Sequence, residues 1–141
     1  MSIKETLEDT ASGWLKDLES RSIENVVSKW TEDIHYAVHP DTNSIYPVNR
    51  EQFRTNDRAA NIFKHLKYLK SFKITINEMF TDVGKRTVTM VCTSKGETAA
   101  GSYGTDCLFV VTMTDDGKKI QKLCEWIDFQ KGQGALSKAV H

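Results

Sequence analysis

The C-terminal third of the chain carries two runs in which apolar and polar residues alternate, a pattern typical of β-strands. Both runs lie within residues 103–129, and the sequence Asp-Asp-Gly-Lys at residues 115–118 separates them. A turn containing Asp-Gly between two strand-like runs is a strong signal for a β-hairpin. We therefore expect an antiparallel pair of strands here.

One acidic residue of the second run lies on the apolar side of its strand. Because side chains alternate between the faces of a strand, Glu125 shares a face with Leu123, Ile127 and Phe129. Burial raises the pKa of a carboxyl group toward neutrality, which makes Glu125 a candidate general acid or base. Two other interpretations stay open: a structural carboxylate bonded to a Tyr or His in the core, or a bulge that lets Glu125 reach water.

The N-terminal region has helical periodicity instead. Apolar residues recur at steps of three and four over residues 3–19, and Ser2 with Glu5 has capping-box spacing, so an amphipathic helix is predicted. A second, short helix is predicted over Ile23–Lys29. A strand over Thr31–His39 follows, with two alternating sets of residues: Ile34, Tyr36 and Val38 on one side, and His35, Ala37 and His39 on the other.

Asn49 and Gln52 have the spacing of a capping box at the start of a third helix, whose inner side begins with Phe53. From residue 71 the period of two returns and predicts strands over residues 72–77 and 86–93. The small residues of Lys95–Gly101 are interpreted as a connection. Helices followed by a run of antiparallel strands indicate an α+β domain. We expect one domain over residues 1–131 and a flexible tail over residues 132–141.

Composition narrows the choice of partners and cofactors. The chain has 141 residues, with 19 basic and 19 acidic side chains, so its charge does not predict a nucleic-acid or anionic-membrane partner. Its apolar runs are shorter than the roughly 20 residues that a membrane helix needs. Three cysteines without CxxC spacing favour reduced thiols in the cytoplasm. The sequence lacks a glycine-rich nucleotide loop and a clustered ligand set, so we expect no metal or organic cofactor, and activity that survives chelators.

Similarity to a known family is carried by three stretches: HYAVHPDTNSIYPVNREQF, CTSKGETAAGSYGTDCLFVVTM and DDGKKIQKLCEWIDF. Together they resemble the SnoaL-like branch of the nuclear-transport-factor-2 (NTF2) fold, in particular the small fungal members of polyketide, meroterpenoid and indole-alkaloid pathways. The resemblance implies a cone in which a curved sheet wraps around three helices. It also implies a deep apolar pocket and a homodimer packed through the sheet. Many relatives are cofactor-free isomerases, cyclases or dehydratases, whereas others only bind ligands.

The resemblance also implies site residues. It places Glu125 and Tyr103 in the pocket, Glu125 to move a proton and Tyr103 to stabilise a developing oxyanion. Two positions depart from the fungal relatives, which carry an arginine where this chain has Ala37 and a second tyrosine where it has Cys107. A first-strand histidine could replace the lost cationic donor. We predict His35 as the third catalytic residue.

Five further residues are predicted to bind substrate: His39, Tyr46, Phe53, Asp57 and Cys107. Asn56 competes with Asp57 for the inner side of the third helix, and Cys107 also fits the role of a small buried apolar residue. Two functional hypotheses result. The first is a cofactor-independent isomerase or cyclase that acts on an apolar polycyclic intermediate of secondary metabolism. The second is a non-catalytic ligand-binding or dimerisation module with the same pocket.

Overall fold

The computed structural model describes residues 1–39, 46–55, 69–99 and 101–128. One five-stranded sheet has the strand order β1-β5-β4-β3-β2, in which β1 runs parallel to β5 and the other neighbours are antiparallel. The α+β prediction is therefore confirmed. Its elements are α1 (Ile3–Glu19), α2 (Ile23–Val27), β1 (Trp30–His39), α3 (described over Arg50–Thr55), β2 (Ser71–Asp82), β3 (Thr87–Thr98), β4 (Gly101–Met113) and β5 (Ile120–Ile127).

Helix α1 covers one face of the sheet, which we call the inner face. Its first turns pack on the β4–β5 turn at Gly117, where φ is +76° and a Cβ atom would lie 3.2 Å from Leu7 Cδ2. Only glycine combines that backbone conformation with such a close approach at little cost. At the other end of α1, Glu19 Oε1 accepts a hydrogen bond from the Ile74 backbone N–H of β2 at 2.9 Å. Helix α1 therefore reaches from the β4–β5 turn to the far edge strand.

The start of α3 is held by the predicted capping box. Asn49 Oδ1 accepts from the Gln52 backbone N–H at 2.8 Å, and Gln52 Oε1 accepts from the Asn49 backbone N–H at 2.8 Å. Just before it, Val48 forms an antiparallel bridge with Tyr36 of β1. This bridge ties α3 to the edge of the sheet. The rest of the predicted helical side, including Asp57, lies outside the described residues, as do Phe129 and the predicted tail.

The strands extend further than predicted, since β2 continues to Asp82. Residues Lys95–Thr98 do not form a connection, because β3 continues to Thr98 and pairs with β4 along its whole length, and Gly101 already belongs to β4. Small residues such as Gly96 are typical of loops, but here Gly96 pairs with Tyr103, whose ring covers it. An aromatic side chain over a glycine restores packing that the glycine alone does not supply.

The inner face changes character along the β3–β4 ladder. Three successive inner pairs are apolar and three are small or polar: Val88–Val111, Met90–Phe109 and Cys92–Cys107, then Ser94–Thr105, Gly96–Tyr103 and Thr98–Gly101. We call the first three pairs the apolar end and the last three the polar end. Trp14 of α1 packs edge-on against Phe109 with ring centroids 5.4 Å apart. The apolar end therefore forms the core beneath α1.

Three register shifts interrupt the sheet, at Trp30/His35, Ile76/Glu78 and Thr112/Met113. Such irregularities bend strands and strengthen their twist. They supply curvature that alternation alone does not predict. Within the described ranges, the structure contains no helix that is both long and apolar enough to cross a bilayer.

Candidate active site

Glu125 lies on the inner face of β5, as its position in the strand predicted. It pairs with Phe109 of β4 on one side and with Val38 of β1 on the other. Only 4% of its surface is exposed. The carboxyl group is therefore buried beside apolar residues, where its charged form is poorly solvated.

One hydrogen bond reaches this carboxyl group from the edge strand. The Tyr36 hydroxyl donates to Glu125 Oε1 at 2.9 Å. Burial raises the pKa of Glu125 to about 7, and the hydrogen bond from Tyr36 acts in the opposite direction. A carboxyl group with this pKa can both release and accept a proton near neutral pH.

The second carboxyl oxygen of Glu125, Oε2, differs from Oε1 in its hydrogen bonding. Among the described residues, Oε2 receives no hydrogen bond, and the fully buried side-chain polar atoms without a partner are Trp30 Nε1 and Thr31 Oγ1 only. Glu125 Oε2 therefore has no hydrogen-bond partner within the described ranges. It is the carboxyl oxygen that the Tyr36 hydrogen bond leaves free.

Tyr36 itself is held in an aromatic cluster. Tyr36 is 1% exposed, and its ring stacks against Tyr46, at 5.7 Å and 15°, and against Phe53, at 5.2 Å and 20°. Trp30 packs edge-on against it at 4.9 Å. Burial, and then the charge of Glu125, raise the pKa of Tyr36 well above its usual value. The hydroxyl therefore stays protonated and remains a hydrogen-bond donor.

Tyr103 lies at the polar end of the inner face and is half-buried. Burial raises the pKa of its phenol, and hydrogen bonding with Ser94 partly offsets the effect. Tyr103 is therefore also a neutral donor at physiological pH. Its ring lies across Gly96, so its position depends on the absence of a side chain there.

Cys107 lies on the inner face between Tyr103 and Phe109, and it is buried. Burial raises the pKa of its thiol to about 12, with smaller contributions from Cys92 and Glu125. The sulfur is 3.8 Å from the Cys92 carbonyl oxygen, to which it donates. A thiol in this state is a small apolar side chain, since the thiolate is the nucleophilic form.

The structure does not bring the two predicted histidines to Glu125. His35 is exposed on the outer face, because it alternates with Tyr36 along β1. His39 lies on the same outer side and stacks on the exposed ring of Trp126, at 4.3 Å and 18°. The geometry therefore gives no support to the predicted meeting of His35 with Glu125 and Tyr103, and the predicted role of His39 in substrate binding stays a prediction.

Two of the predicted substrate-binding residues contact Tyr36 instead of an open space. Phe53 is fully buried and Tyr46 is half-buried, and both stack on the Tyr36 ring. Sequence reasoning missed Tyr36 as a site residue. The sequence pattern could have identified it, because a tyrosine on the same side of the strand as Ile34 and Val38 carries a buried hydroxyl group that needs a hydrogen-bond partner.

Metal ligands are not clustered in the part of the chain that the structure describes, where His, Cys, Asp and Glu form no group of three or more. The polar end instead offers neutral hydroxyl groups, and the carboxyl group of Glu125 lies beside Phe109 of the apolar end. Such a set can donate hydrogen bonds to an oxygen and exchange one proton.

Solved structures share this architecture. The chain matches the BvnE pinacolase from Penicillium brevicompactum with a TM-score of 0.80, 23% identity and 99% coverage of both chains. It matches PrhC from Penicillium brasilianum NBRC 6234 with a TM-score of 0.79 and 21% identity, over 99% of this chain and 90% of that one. A Shewanella putrefaciens CN-32 protein described as a SnoaL-like polyketide cyclase gives 0.70 and 9%, over 94% and 86%.

No protein-family model matches the chain, and no curated protein matches it. Its structural neighbours define the class: the chain has the SnoaL/NTF2-like fold, the α+β cone that the resemblance implied. Identities below a quarter establish the fold alone, so the activity must be argued from the site.

Proposed function

We propose that the protein is a cofactor-independent isomerase or cyclase that acts on a largely apolar, polycyclic intermediate of secondary metabolism. One observation carries the proposal: a carboxyl group buried on the inner face, with a pKa of about 7 and one oxygen that Tyr36 leaves free. Perturbed carboxyl groups in enclosed sites are characteristic of acid–base catalysts.

The chemistry requires only a proton transfer and a stabilised oxygen. Glu125 removes a proton from a carbon next to a carbonyl group, and the C–H electron pair moves into the developing enolate. Tyr103 stabilises the enolate oxygen by donating a hydrogen bond to it. Return of the proton to another carbon gives an isomer, and attack by the enolate on an internal electrophile gives a ring. Both outcomes are redox-neutral.

The surroundings of Glu125 favour an apolar substrate with oxygen functions. Phe109, Val38 and Ile127 adjoin the carboxyl group, whereas hydroxyl groups lie toward the polar end. The structural neighbours include a protein named a pinacolase and one described as a polyketide cyclase, which supports rearrangement or cyclisation as the class of reaction.

One observation favours the second candidate, a ligand-binding module without catalysis. The hydrogen bond from Tyr36 gives Glu125 the internal partner that a structural carboxylate would have. We favour catalysis because this bond occupies Oε1 and leaves Oε2 without a partner within the described ranges. The two candidates differ in what Glu125→Gln does, since the amide keeps the shape of the site and cannot exchange a proton.

A homodimer packed through the outer face of the sheet is part of the proposal. The outer face exposes half of the Trp126 ring, stacked on His39, which supplies apolar surface for such a contact. Light scattering at micromolar protein is expected to give twice the chain mass, and a value of 16.0 kDa would contradict the dimer.

The test of function uses the source organism, so that the substrate need not be known beforehand. A deletion strain is complemented with wild type, Glu125→Gln or Asp106→Asn, and metabolites are compared by mass spectrometry. Asp106 is the matched control, an exposed carboxylate on the outer side of β4. We expect Glu125→Gln to accumulate the same intermediate as the deletion and Asp106→Asn to restore the product. Full restoration by Glu125→Gln would favour the binding module.

A further inference from the structure

Tyr36 has a position that the proposed function does not yet use. We propose that Tyr36 is a positioning residue: its hydroxyl holds Oε1 of Glu125, so that Oε2 is the oxygen that exchanges the proton with the substrate. The inference rests on the proposed function and deepens it, because it assigns a separate task to each oxygen of one carboxyl group.

The first support is that Tyr36 is fixed by both its backbone and its ring. Its backbone N–H donates to the Val48 carbonyl oxygen at 3.0 Å, and the Val48 N–H donates back at 2.9 Å. Its ring stacks against Tyr46 and Phe53, which come from the segment before α3 and from α3 itself. These two contacts limit movement of the ring, so the direction of the hydroxyl group is set before any ligand arrives.

The second support is the inequality of the two oxygens. Oε1 accepts the Tyr36 hydrogen bond at 2.9 Å, whereas Oε2 has no partner among the described residues. When Glu125 is protonated, the proton resides on Oε2, since Oε1 already faces a donor. The exchangeable proton is therefore held on the oxygen that Tyr36 leaves free.

Within the described ranges, the titratable inner-face groups near Glu125 are thiols and phenols. Cys107 of β4 and Cys92 of β3 have pKa values raised to about 12 and about 11 by burial. Tyr46 lies behind Tyr36 and interacts with it, and Tyr103 has a raised phenol pKa. Over the described parts of α1 and α3, no charged group contributes to the Glu125 pKa, whose causes are burial and Tyr36. Removal of the Tyr36 hydroxyl group therefore changes one interaction of Glu125, the hydrogen bond that Oε1 accepts.

The test is a titration of Glu125 in variants that keep the ring stack. Glutamate labelled with ¹³C at the side-chain carboxyl carbon is incorporated, and the Glu125 signal is assigned by its loss in Glu125→Gln. Tyr36→Phe removes a donor to the charged form, so the midpoint should lie about one pH unit higher than in wild type. Site-specific 3,5-difluorotyrosine at position 36, a stronger donor, should lower the midpoint.

Tyr103→Phe is the matched control, since it removes the other inner-face phenol and should leave the Glu125 midpoint unchanged. In Tyr36→Phe, the limb of the pH–turnover profile that reports Glu125 should move to higher pH together with the midpoint. An unchanged midpoint would overturn the inference, and so would a shifted midpoint with an unchanged limb. Either result would leave the proposed proton transfer by Glu125 unaffected. The metabolite comparison with Glu125→Gln tests that role separately.

Discussion

The apolar and polar ends of the inner face belong to the same two strands and share one continuous ladder, yet they have different tasks. At the apolar end, pairs such as Val88–Val111 are fully buried beneath α1. At the polar end, Ser94–Thr105 and Gly96–Tyr103 have the same backbone pairing with small or hydroxyl-bearing side chains. Glu125 lies beside Phe109 of the apolar end, and the Cys92–Cys107 pair separates Phe109 from the polar end.

The difference shows that one regular hairpin can supply both a core and a site. Backbone hydrogen bonds hold both ends, so the polar end need not bury apolar area to stay in place. Apolar burial stabilises by roughly 25 cal/mol per Å², and this contribution is concentrated at the apolar end. We therefore expect substitutions at the apolar end to change stability and those at the polar end to change activity.

The largest expected effect on stability is in the core that continues from the apolar end. Met113 lies two residues beyond Val111 on β4, is 1% exposed and packs in the core, so Met113→Ala should leave a cavity. The free energy of unfolding should fall by about 2–5 kcal/mol, while turnover per folded molecule stays at the wild-type level. Urea unfolding with a turnover assay on the same sample checks both. A loss of turnover without a loss of stability would contradict the expectation that apolar substitutions change stability and polar-end substitutions change activity.

Tyr103→Phe is the converse change on the same strand. It removes one hydroxyl group from a half-buried phenol and keeps the ring over Gly96. Turnover should fall by roughly 10²–10³-fold, the usual effect of removing one oxyanion donor. The free energy of unfolding should change by less than about 1.5 kcal/mol, the contribution of one hydrogen bond. Steady-state kinetics and urea unfolding measure the two, and wild-type turnover would refute the role of Tyr103.

A smaller effect is expected at the glycine beneath Tyr103. A Cβ atom on Gly96 would lie 2.5 Å from Tyr103 Cε1 and 3.1 Å from the Ser71 carbonyl oxygen. Gly96→Ala should therefore displace the ring, lower stability by about 1–3 kcal/mol and reduce turnover less than Tyr103→Phe does.

Gly104→Ala is the matched control for this substitution. A Cβ atom there would lie 3.6 Å from the Ser94 carbonyl oxygen, an ordinary contact, so stability and turnover should stay near the wild-type values. Equal effects of the two substitutions would show that the Tyr103 ring is not the sensitive element.

Local patterns predicted the elements well, because helix caps and strand alternation depend on neighbouring residues. The capping box at Asn49 and the inward position of Glu125 are both confirmed. The extension of β3 was missed because its polar end has a loop-like composition, and only pairing with β4 makes it a strand. Sites often depart from local rules in this way.

The partner of Glu125 was not predictable from the same patterns. Tyr36 is 89 residues away in sequence, and the two meet because β1 pairs in parallel with β5. Alternation does place Tyr36 and His35 on opposite faces of β1, but it does not say which face points inward. The preference for His35 as a catalytic residue depended on that choice.

The pH dependence of stability tests the state of Glu125 most directly, and it needs no substrate. Burial raises the pKa of Glu125 from 4.5 to about 7 in the folded protein. Folded chains therefore bind more protons than unfolded chains between these pH values, so the contribution of Glu125 is fully present below pH ~4.5 and is lost as pH rises through about 7.

At ~1.36 kcal/mol per pKa unit, the loss in wild type is about 3 kcal/mol. Glu125→Gln removes this dependence and shares every other titrating group with wild type. We predict that the free energy of unfolding of wild type, minus that of Glu125→Gln, falls by about 3 kcal/mol between pH ~4.5 and pH ~8, measured by urea unfolding at each pH. A difference that stays constant over this range would contradict a buried carboxyl group that titrates near neutrality.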